Sequence, residues 1–422
     1  MTDDKRLIKN DNIKQAMKST LEKRSLQQCA VYTIKIDESR LTTKQKEQLK
    51  MLFVEAKWLY NDMLSFSQEH NISEYDTKIK SINVMNKNRE IETRELNFIG
   101  SQMKQSVLAS IISSIKTLST LKKKGHKVGA LKYSSDYKSL NLKQYGNTYK
   151  IYSHNKMKIQ GVSGKITVNG LKQCIYNPDI EFANAKILNT PKGYYIAITT
   201  YTYKTNLPIK QFIGLEIGID MGIKDAITLS NGEKFSATIG ETERLKRLQR
   251  KLARQKKGSN NRWKTRLLIK KECQKITNRK NDAANKVVAH ILSFEHVYMQ
   301  DEQISGWHKG LFGKQVQHSI LGRVKMKLIN HPRVEVLDRW APTTKWCPKC
   351  GNKNTDITLA DRMFKCPHCG HTNDRDIHSA QNMITMIKII NKQIELVPMG
   401  HREFKPVESM KLVDAETGRL HH

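Results

Sequence analysis

The chain has 422 residues, and its 74 Lys and Arg against 40 Asp and Glu give a formal net charge of 74 − 40 = +34. A compact protein with this excess repels itself unless a polyanion screens it, so nucleic acid is the favoured partner and a membrane surface the second. No stretch approaches the roughly 20 apolar residues of a membrane-spanning helix, and the first residues lack the apolar region of a signal peptide. Seven cysteines, an odd number, argue against a secreted disulfide scaffold. The composition indicates a soluble intracellular protein with no membrane partner.

The first half of the chain is predicted to combine helices with short strands. Alternating apolar residues over 29–36 indicate a strand, and an amphipathic helix begins at Thr43. A second helical block follows from about Ile99 to Leu121. From Ser139 to Tyr203 short strands with turn signals indicate a small β-barrel or sheet, to which the first strand can add. We therefore expect an N-terminal extension, a first barrel strand, a helical domain and a β-barrel over 1–28, 29–42, 43–135 and 136–208.

The second half is predicted to hold strands and helices of a new domain, then a cysteine module and a last helix. Strands are expected over 213–220, 296–302 and 334–337, with a basic helical hairpin over 241–291 that turns at Gly258. A last helix begins near Asp376, and the residues beyond it have mixed charge. The expected segments are the new domain, the cysteine module, the last helix and a C-terminal tail, over 209–341, 342–372, 373–395 and 396–422.

Four cysteines have the spacing of a structural zinc site. The pairs Cys347/Cys350 and Cys366/Cys369 are each Cys-x-x-Cys, and fifteen residues separate Cys350 from Cys366. Each pair can place two thiolates on one side of a metal ion, and four sulfurs complete a tetrahedron. Because no coordination position is left for water, the zinc is expected to be structural rather than catalytic. The alternative is four free thiols.

Three carboxylates stand at the ends of strands or at the start of a helix. Asp220 closes one apolar strand, Glu302 ends another, and Asp376 lies at the start of the last helix. Acids that converge from separate segments can hold two divalent ions for hydrolysis of a phosphodiester, and their hard oxygens suit magnesium or manganese. From spacing alone the competing interpretation is helix capping and solvated turns.

The hairpin carries an unusual density of unpaired positive charge. Between Arg244 and Lys280 there are sixteen Lys and Arg and one acid, Glu272. Because acidic partners at i+4 are nearly absent, we expect contact with a nucleic-acid backbone rather than a merely solvated face. The candidate contacts are Arg247, Arg250, Lys251, Arg254 and Arg262, together with Lys57, Tyr60 and Asn61 on the first helix. Four tryptophans could also stack bases, although core packing is the competing role: Trp263, Trp307, Trp340 and Trp346.

The order of these motifs resembles the TnpB proteins of insertion sequences and the miniature type V CRISPR effectors related to them. The likeness is carried by Gly218-Ile-Asp-Met-Gly222, the basic hairpin, Pro342-Thr-Thr-Lys with the first cysteine pair, the second pair, and Asp374-Arg-Asp-Ile-His-Ser-Ala380. It covers about residues 29–395. The C-terminal motifs are specific because several occur in the family's order, whereas the N-terminal half is suggestive only.

The resemblance implies a multidomain α+β fold. A helical recognition lobe and a small wedge-like β-barrel would precede an RNase H-like (RuvC) nuclease domain, split around the zinc ribbon 342–372. The first and third acids of that family map to Asp220 and Asp376, with Asp374 expected to cap the helix. The second acid is open between Asp301 and Glu302. Adjacent residues of a strand point to opposite faces, so they cannot both face the metals, and we choose Glu302.

The implied function is RNA-guided DNA endonuclease activity with magnesium or manganese, in the prokaryotic cytosol or nucleoid. The implied partners are a guide RNA and target double-stranded DNA, and a homodimer is left open. Two alternatives are a nuclease-inactive guided repressor of the same fold and a guide-free zinc-ribbon transposition accessory. The motifs do not separate a transposon-encoded nuclease from a CRISPR effector. The segment His378-Ser-Ala380 departs from the family's usual Asn-Ala-Ala.

Overall fold

The computed structural model describes residues 3–86, 88, 90–175, 179–206, 211–358 and 360–395, and the tail predicted over 396–422 lies outside the described residues. The chain divides into two compact units, Met1–Pro208 and Ile209–His422. Each unit has its own hydrophobic core.

Unit 1 alternates long helices with short strands. In chain order these elements are α1 (Asp3–Ser25), β1 (Gln27–Ile36), α2 (Thr43–Glu69), β2 (Ser81–Met85), β3 (Ile91–Glu95), α3 (Ser101–Lys123), β4 (Ser139–Leu142), β5 (Tyr149–Ser153), β6 (Lys156–Ile159), β7 (Ile166–Asn169), β8 (Glu181–Thr190) and β9 (Gly193–Tyr203).

A nearly closed antiparallel sheet of seven strands forms most of unit 1, in the order β4-β8-β9-β1-β7-β6-β5. Strand β1 lies at its centre, because it pairs with β9 from Gln27 to Lys35 and with β7 at its end. The expectation that the first strand adds to the β region is therefore confirmed. Buried Ile34 and Ile36 point into the core that the sheet shares with α2 and α3.

Helix α2 begins where the sequence predicts it. The Thr42 hydroxyl accepts the Gln45 backbone N–H, and the Gln45 side chain accepts the Thr42 N–H, which together form a capping box. Apolar residues at three- and four-residue steps, from Leu49 to Met63, are buried along one face.

Two elements of unit 1 differ from the sequence-based expectation. Residues Asp3–Ser25, predicted only as an extension of uncertain order, form a helix. The segment predicted as helical contains the hairpin of β2 and β3, which pair antiparallel with Ser81 opposite Glu95. The strands are short, and Met85 and Ile91 remain exposed. The alternation of apolar and polar residues that predicts strands was weak here, because only a minority of the hairpin's side chains enter the core.

Unit 2 is built around a mixed sheet. Its elements are β10 (Gly214–Asp220), β11 (Ile227–Leu229), β12 (Lys234–Phe235), α4 (Glu243–Arg254), α5 (Asn260–Ile291), β13 (Phe294–Gln300), α6 (Ile304–Lys309), α7 (Gly313–His318), α8 (Leu321–Leu328), β14 (Val334–Leu337), β15 (Met363–Lys365), β16 (Thr372–Asp374) and α9 (Arg375–Glu395).

The unit 2 sheet has the strand order β12-β11-β10-β13-β14. The first three strands are antiparallel neighbours, whereas β10, β13 and β14 run parallel. Ile219 pairs with Met299, and Gln300 pairs with Leu337, so the three parallel strands end at nearly the same level. We call this end of the sheet the carboxyl edge. It is where the residues that follow the three strands meet, namely 221–226, 301–303 and 338–341.

Helix α9 lies directly against β10 because β10 carries a glycine at the contact. A Cβ at Gly218 would stand 1.9 Å from the carbonyl oxygen of Ala380. The absence of a side chain therefore lets the helix backbone approach the strand. This close approach brings the first turn of α9 toward the carboxyl edge.

The basic hairpin is formed by α4 and α5, which turn at Gly258 with a positive φ of 84°. The Thr242 hydroxyl caps α4 by accepting the Leu245 N–H and donates to Glu272 of α5. Glu272 also lies within reach of Arg244 and Lys275. The single acid of the basic run thus joins the two helices. Among the helices of the described residues, none has the length and apolar character needed to cross a membrane.

Candidate nuclease centre and zinc site

The four motif cysteines form one compact cluster. All four are free thiols, and their sulfurs lie within 4.8 Å of one another. The Sγ atoms of Cys347 and Cys369 are 3.6 Å apart, and those of Cys350 and Cys366 are 3.5 Å apart. Zinc–sulfur bonds of about 2.3 Å in a tetrahedron give sulfur separations of about 3.8 Å. The sulfur positions therefore fit a zinc ion.

The cysteine surroundings favour a cation. The backbone N–H of Asn352 is the main cause that lowers the pKa of the Cys350 thiol to about 6, which favours the thiolate form that binds metal. Burial raises the pKa of Cys347 to about 12, a cost that a bound cation would offset.

The ribbon is joined to the first turns of α9. The ring of buried His378 stacks on Phe364 with centroids 3.8 Å apart, and Phe364 packs against the buried cysteines. Asn382, one turn later, donates from Nδ2 to the backbone oxygens of Thr343 (2.7 Å) and Trp346 (2.8 Å). The position of the ribbon is therefore coupled to the helix that carries Asp376.

Asp220 ends β10 and is partly buried. Desolvation raises the pKa of its carboxyl to about 7, and the negative charges of Asp376 and Glu302 act in the same direction. The Ser379 hydroxyl, which donates to Asp220 Oδ1 at 2.9 Å, opposes that rise. Ile219 pairs with Met299, and Ser379 of α9 donates to Asp220, so the ends of β10 and β13 and the first turn of α9, which carry the three candidate acids, adjoin one another.

Asp301 and Glu302 lie in different surroundings. Asp301 accepts from Lys325 Nζ (2.5 Å) and Arg339 Nη2 (2.9 Å), and the Lys325 hydrogen bond is the main cause of its lowered pKa. Burial raises the pKa of Glu302 instead, and among the residues that the structure describes no side chain donates a hydrogen bond to its carboxylate. The cations near Asp301 neutralise it, so Glu302 is the acid with carboxylate oxygens available to a ligand.

The strand β13 ends earlier than the sequence predicts. It stops at Gln300, so Asp301 and Glu302 lie in the turn beyond it rather than on its last residues. The expectation that strand alternation separates the two acids was wrong in that respect. They diverge because Asp301 is held by two cations and by its backbone N–H, which donates to Leu337 O at 3.0 Å.

Asp374 and Asp376 divide two roles at the start of α9. Asp374 Oδ1 accepts the backbone N–H groups of Asp376 (3.0 Å) and Ile377 (3.2 Å), which is the capping role predicted for it. Burial acts to raise the pKa of Asp374, but Lys234 and these backbone donors lower it overall. Asp376 contacts the guanidinium of Arg375 at 3.2 Å.

The three acids do not form a closed ligand cage in the way that the cysteines do. Among the residues that the structure describes, the cysteine group alone gathers three or more metal-ligating atoms within 4.8 Å of one another. The acids instead lie on segments that adjoin, at the end of β10, just beyond the end of β13 and in the first turn of α9. Hard oxygen donors of this kind suit magnesium or manganese.

One residue that the sequence analysis did not single out contacts this group directly. Buried Ser379 donates to Asp220, and its hydroxyl also reaches Thr343 Oγ1 at 3.0 Å as an alternative acceptor. Thr343 in turn donates to Gln300 Oε1 at 3.1 Å. The sequence could have pointed to Ser379 through its position three residues after Asp376, because that spacing places both side chains on one face of a helix.

The candidate phosphate contacts of the hairpin separate into two groups. Four side chains along α4 are exposed: Arg247, Arg250, Lys251 and Arg254. Arg262 is partly buried, and its Nη1 donates to the backbone oxygens of Leu252 and Gln255 at the end of α4. Arg262 therefore caps α4, and the exposed face belongs to the other four residues.

The candidates on α2 in unit 1 are partly buried. Both ends of the Asn61 amide are engaged by the backbone of Ser134, at 2.9 and 2.7 Å. Tyr60 packs against the core and its ring lies 6.0 Å from that of Tyr137. Lys57 is half-buried on the same helix. The Asn61 side chain thus holds the loop at Ser134.

Comparison with known proteins finds two family models. The model described as "Cas12f1-like, TNB domain" matches residues 323–383, which include the four cysteines and Asp376. The model OrfB_IS605, described as "Probable transposase", matches residues 202–296, which include Asp220 and the basic hairpin.

Two curated relatives are named as RNA-guided DNA endonucleases. The protein from Streptomyces pristinaespiralis is 30% identical over 178 residues, covering 40% of this chain and 44% of the relative. InsQ from Escherichia coli K12 is 26% identical over 246 residues, covering 51% of this chain and 60% of the relative. The chain thus spans about half the length of these relatives.

Among solved structures, the mini-RNA-guided endonuclease CRISPR-Cas_phi3 is similar with a TM-score of 0.34 and 10% identity, covering 56% of this chain and 57% of that one. A likeness at this level supports no inference about this chain. The two family models and the curated relatives confirm the resemblance to the TnpB proteins and the miniature effectors related to them.

Proposed function

We propose that this protein is an RNA-guided DNA endonuclease whose catalytic acids are Asp220, Glu302 and Asp376. The observation that carries the proposal is the meeting of the ends of β10 and β13 with the first turn of α9, where Ser379 donates to Asp220. The names of the curated relatives support the same activity. The parallel and antiparallel strand order around β10 supports an RNase H-like (RuvC) domain split over 209–341 and 373–395.

The three acids would hold two magnesium or manganese ions. Three carboxylates of like charge in a partly buried site repel one another, which raises the free energy of the protein. Bound divalent cations would lower that free energy. When bound, two such ions would supply an activated water and stabilise the leaving 3′ oxygen of a phosphodiester. Ser379 would orient Asp220, while Lys325 and Arg339 keep Asp301 out of the metal site. Zinc in the ribbon would be structural.

The exposed basic face of α4 would contact the phosphates of the guide RNA or of the guide–target duplex. Contacts of this kind recognise phosphate and shape rather than sequence. Sequence choice would come from base pairing between the RNA and target double-stranded DNA. A prokaryotic cytosol or nucleoid would supply these partners.

The proposal is tested by purifying the full chain and sequencing any RNA that it retains. The complex is then assayed for cleavage of matching DNA with magnesium and with EDTA. We expect Asp220→Ala to abolish cleavage and to keep RNA binding. Retained cleavage in Asp220→Ala would refute the site. If wild-type protein retains an RNA but does not cleave matching DNA, the result favours a guided repressor. If the purified protein carries no RNA, the result favours a transposition accessory. Light scattering of the same sample distinguishes a monomer from a homodimer.

A further inference from the structure

One turn at the carboxyl edge presents an exposed tryptophan beside the candidate acids. Residues 338–341 follow β14, and β14 is the parallel neighbour of β13. Because Leu337 pairs with Gln300, the turn begins level with Asp301. The indole of Trp340, in the middle of this turn, is 81% exposed. The turn therefore lies at the end of the sheet where Asp220 and Glu302 also lie.

The turn is held rigidly although its surface is exposed. Buried Gln300 donates from Nε2 to the backbone oxygens of Asp338 and Ala341, both at 2.9 Å. Asp338 Oδ1 accepts the Trp340 backbone N–H at 2.8 Å, and the Ala341 N–H donates to Asp338 O at 3.1 Å. A side chain buried in the sheet thus fixes both ends of the turn. The backbone that carries Trp340 is therefore held in place, while its indole stays outside the core.

The other tryptophans of unit 2 show what distinguishes this one. Trp346 is buried, and Trp307 packs against the core of the unit. Trp263 is exposed, but it lies on α5 of the basic hairpin. Trp340 alone among these four stands at the carboxyl edge, next to Arg339 and near Lys325, which both pair with Asp301. An exposed indole on a fixed backbone, beside a cation, suits stacking on a base of a single nucleic-acid strand.

We propose that Trp340 forms a stacking site for a nucleobase of the single DNA strand that enters the nuclease centre. The proposal rests on the proposed function and adds a residue that holds the substrate. The indole face would hold one base, while the guanidinium of Arg339, which stays more exposed than the ammonium of Lys325, favours the adjacent phosphate. The position of the phosphodiester relative to Asp220 and Glu302 would then depend on this stack. Because every base has a π face, the site would hold the strand without reading its sequence.

The test uses the full chain as purified, with the RNA that it retains, in an Asp220→Ala background that does not cut. Binding of a fluorescently labelled single-stranded oligonucleotide is measured by anisotropy for Trp340→Ala and Trp340→Phe. We expect Trp340→Ala to weaken binding about tenfold and Trp340→Phe to retain most of the affinity, because phenylalanine keeps a smaller π face. Since Trp340 is exposed, both variants should melt at the wild-type temperature.

A matched control lies at the opposite end of the same sheet. Leu215 is 65% exposed near the start of β10, about 16 Å along the strand from Asp220. Leu215→Ala removes an exposed apolar side chain without touching the carboxyl edge and should bind the oligonucleotide like the parent. An oligonucleotide carrying 5-bromodeoxyuridine adds a second measurement, because ultraviolet light should crosslink it to Trp340.

The outcomes separate the stacking proposal from the function on which it rests. Binding by Trp340→Ala equal to that of the parent, or crosslinks mapped only to other residues, would overturn the stacking site. Guided cleavage by the wild-type protein decides the proposed function independently. If wild-type protein cleaves and Trp340→Ala cleaves and binds equally well, only the stacking proposal fails.

Discussion

The contact between α9 and β10 offers the sharpest test of how this fold positions its acids. In Gly218→Ala, the new Cβ would stand 1.9 Å from the Ala380 carbonyl oxygen, whereas real Cβ contacts are essentially never shorter than 3.0 Å. Strand and helix must therefore separate by at least 3.0 − 1.9 = 1.1 Å. The opposing atom belongs to a helix backbone, so no side-chain rotation can relieve the contact.

The expected loss of stability follows from this displacement. Overpacking of a core typically costs about 1–3 kcal/mol, and a rigid backbone neighbour places this substitution near the upper value. For a unit of about 200 residues, about 3 kcal/mol lowers the melting temperature by roughly 6–12 °C. The shift also moves Asp376 and Ser379 away from Asp220. Because misplacement of about 1 Å can cost on the order of a hundredfold in rate, DNA cleavage should fall more steeply than stability.

Gly322→Ala is the matched control for this substitution. Gly322 lies in α8, and a Cβ there meets no atom within 4 Å. Alanine in a helix is more stable than glycine by up to about 1 kcal/mol, so this variant should melt at or above the wild-type temperature. Differential scanning fluorimetry with guided cleavage measures both effects. An unchanged melting temperature for Gly218→Ala, or an equal loss for Gly322→Ala, would refute the reasoning.

Three further predictions concern the metal sites. Cys366→Ser should lower the amount of bound zinc, measured by mass spectrometry of the metal. It should also increase proteolysis within 342–372, because a structural zinc contributes folding energy. A full zinc content would contradict the proposed ligand set. Ser379→Ala should weaken Mn²⁺ binding, measured by calorimetry, about fivefold, because it removes one buried hydrogen bond to Asp220 worth about 1 kcal/mol. Ser379→Thr, which keeps the hydroxyl, is the control. Equal Mn²⁺ affinities for the wild type and both variants would exclude the positioning role. Glu302→Gln should abolish cleavage with little change in melting temperature. Asp301→Asn should retain measurable cleavage but lower the melting temperature, because it releases Lys325 and Arg339. The reverse pattern would make Asp301 the metal ligand in place of Glu302.

The sequence predicted those features whose signals are local. The spacing of the two Cys-x-x-Cys pairs indicated a cluster that the fold brings together within 4.8 Å. The apolar periodicity after Thr43 indicated α2, whose capping box also lies in adjacent residues. Asp220 was singled out because it ends an apolar strand and lies in Gly218-Ile-Asp-Met-Gly222, which resembles the segment of the family's first acid. In each case the decisive residues are neighbours in the chain or repeat at a fixed step.

Only the tertiary structure distinguished side chains that look alike in the sequence. Asp301 and Glu302 are neighbours, yet Lys325 and Arg339, which lie 24 and 38 residues beyond Asp301, engage only Asp301 through their side-chain ion pairs. Trp340 and Trp346 are six residues apart, yet one is 81% exposed and the other 4%. The approach of α9 to Gly218 joins segments about 160 residues apart, and Ser379 reaches Asp220 through it. Composition and periodicity cannot encode such pairings, because burial and charge compensation depend on which distant segments the completed fold places side by side.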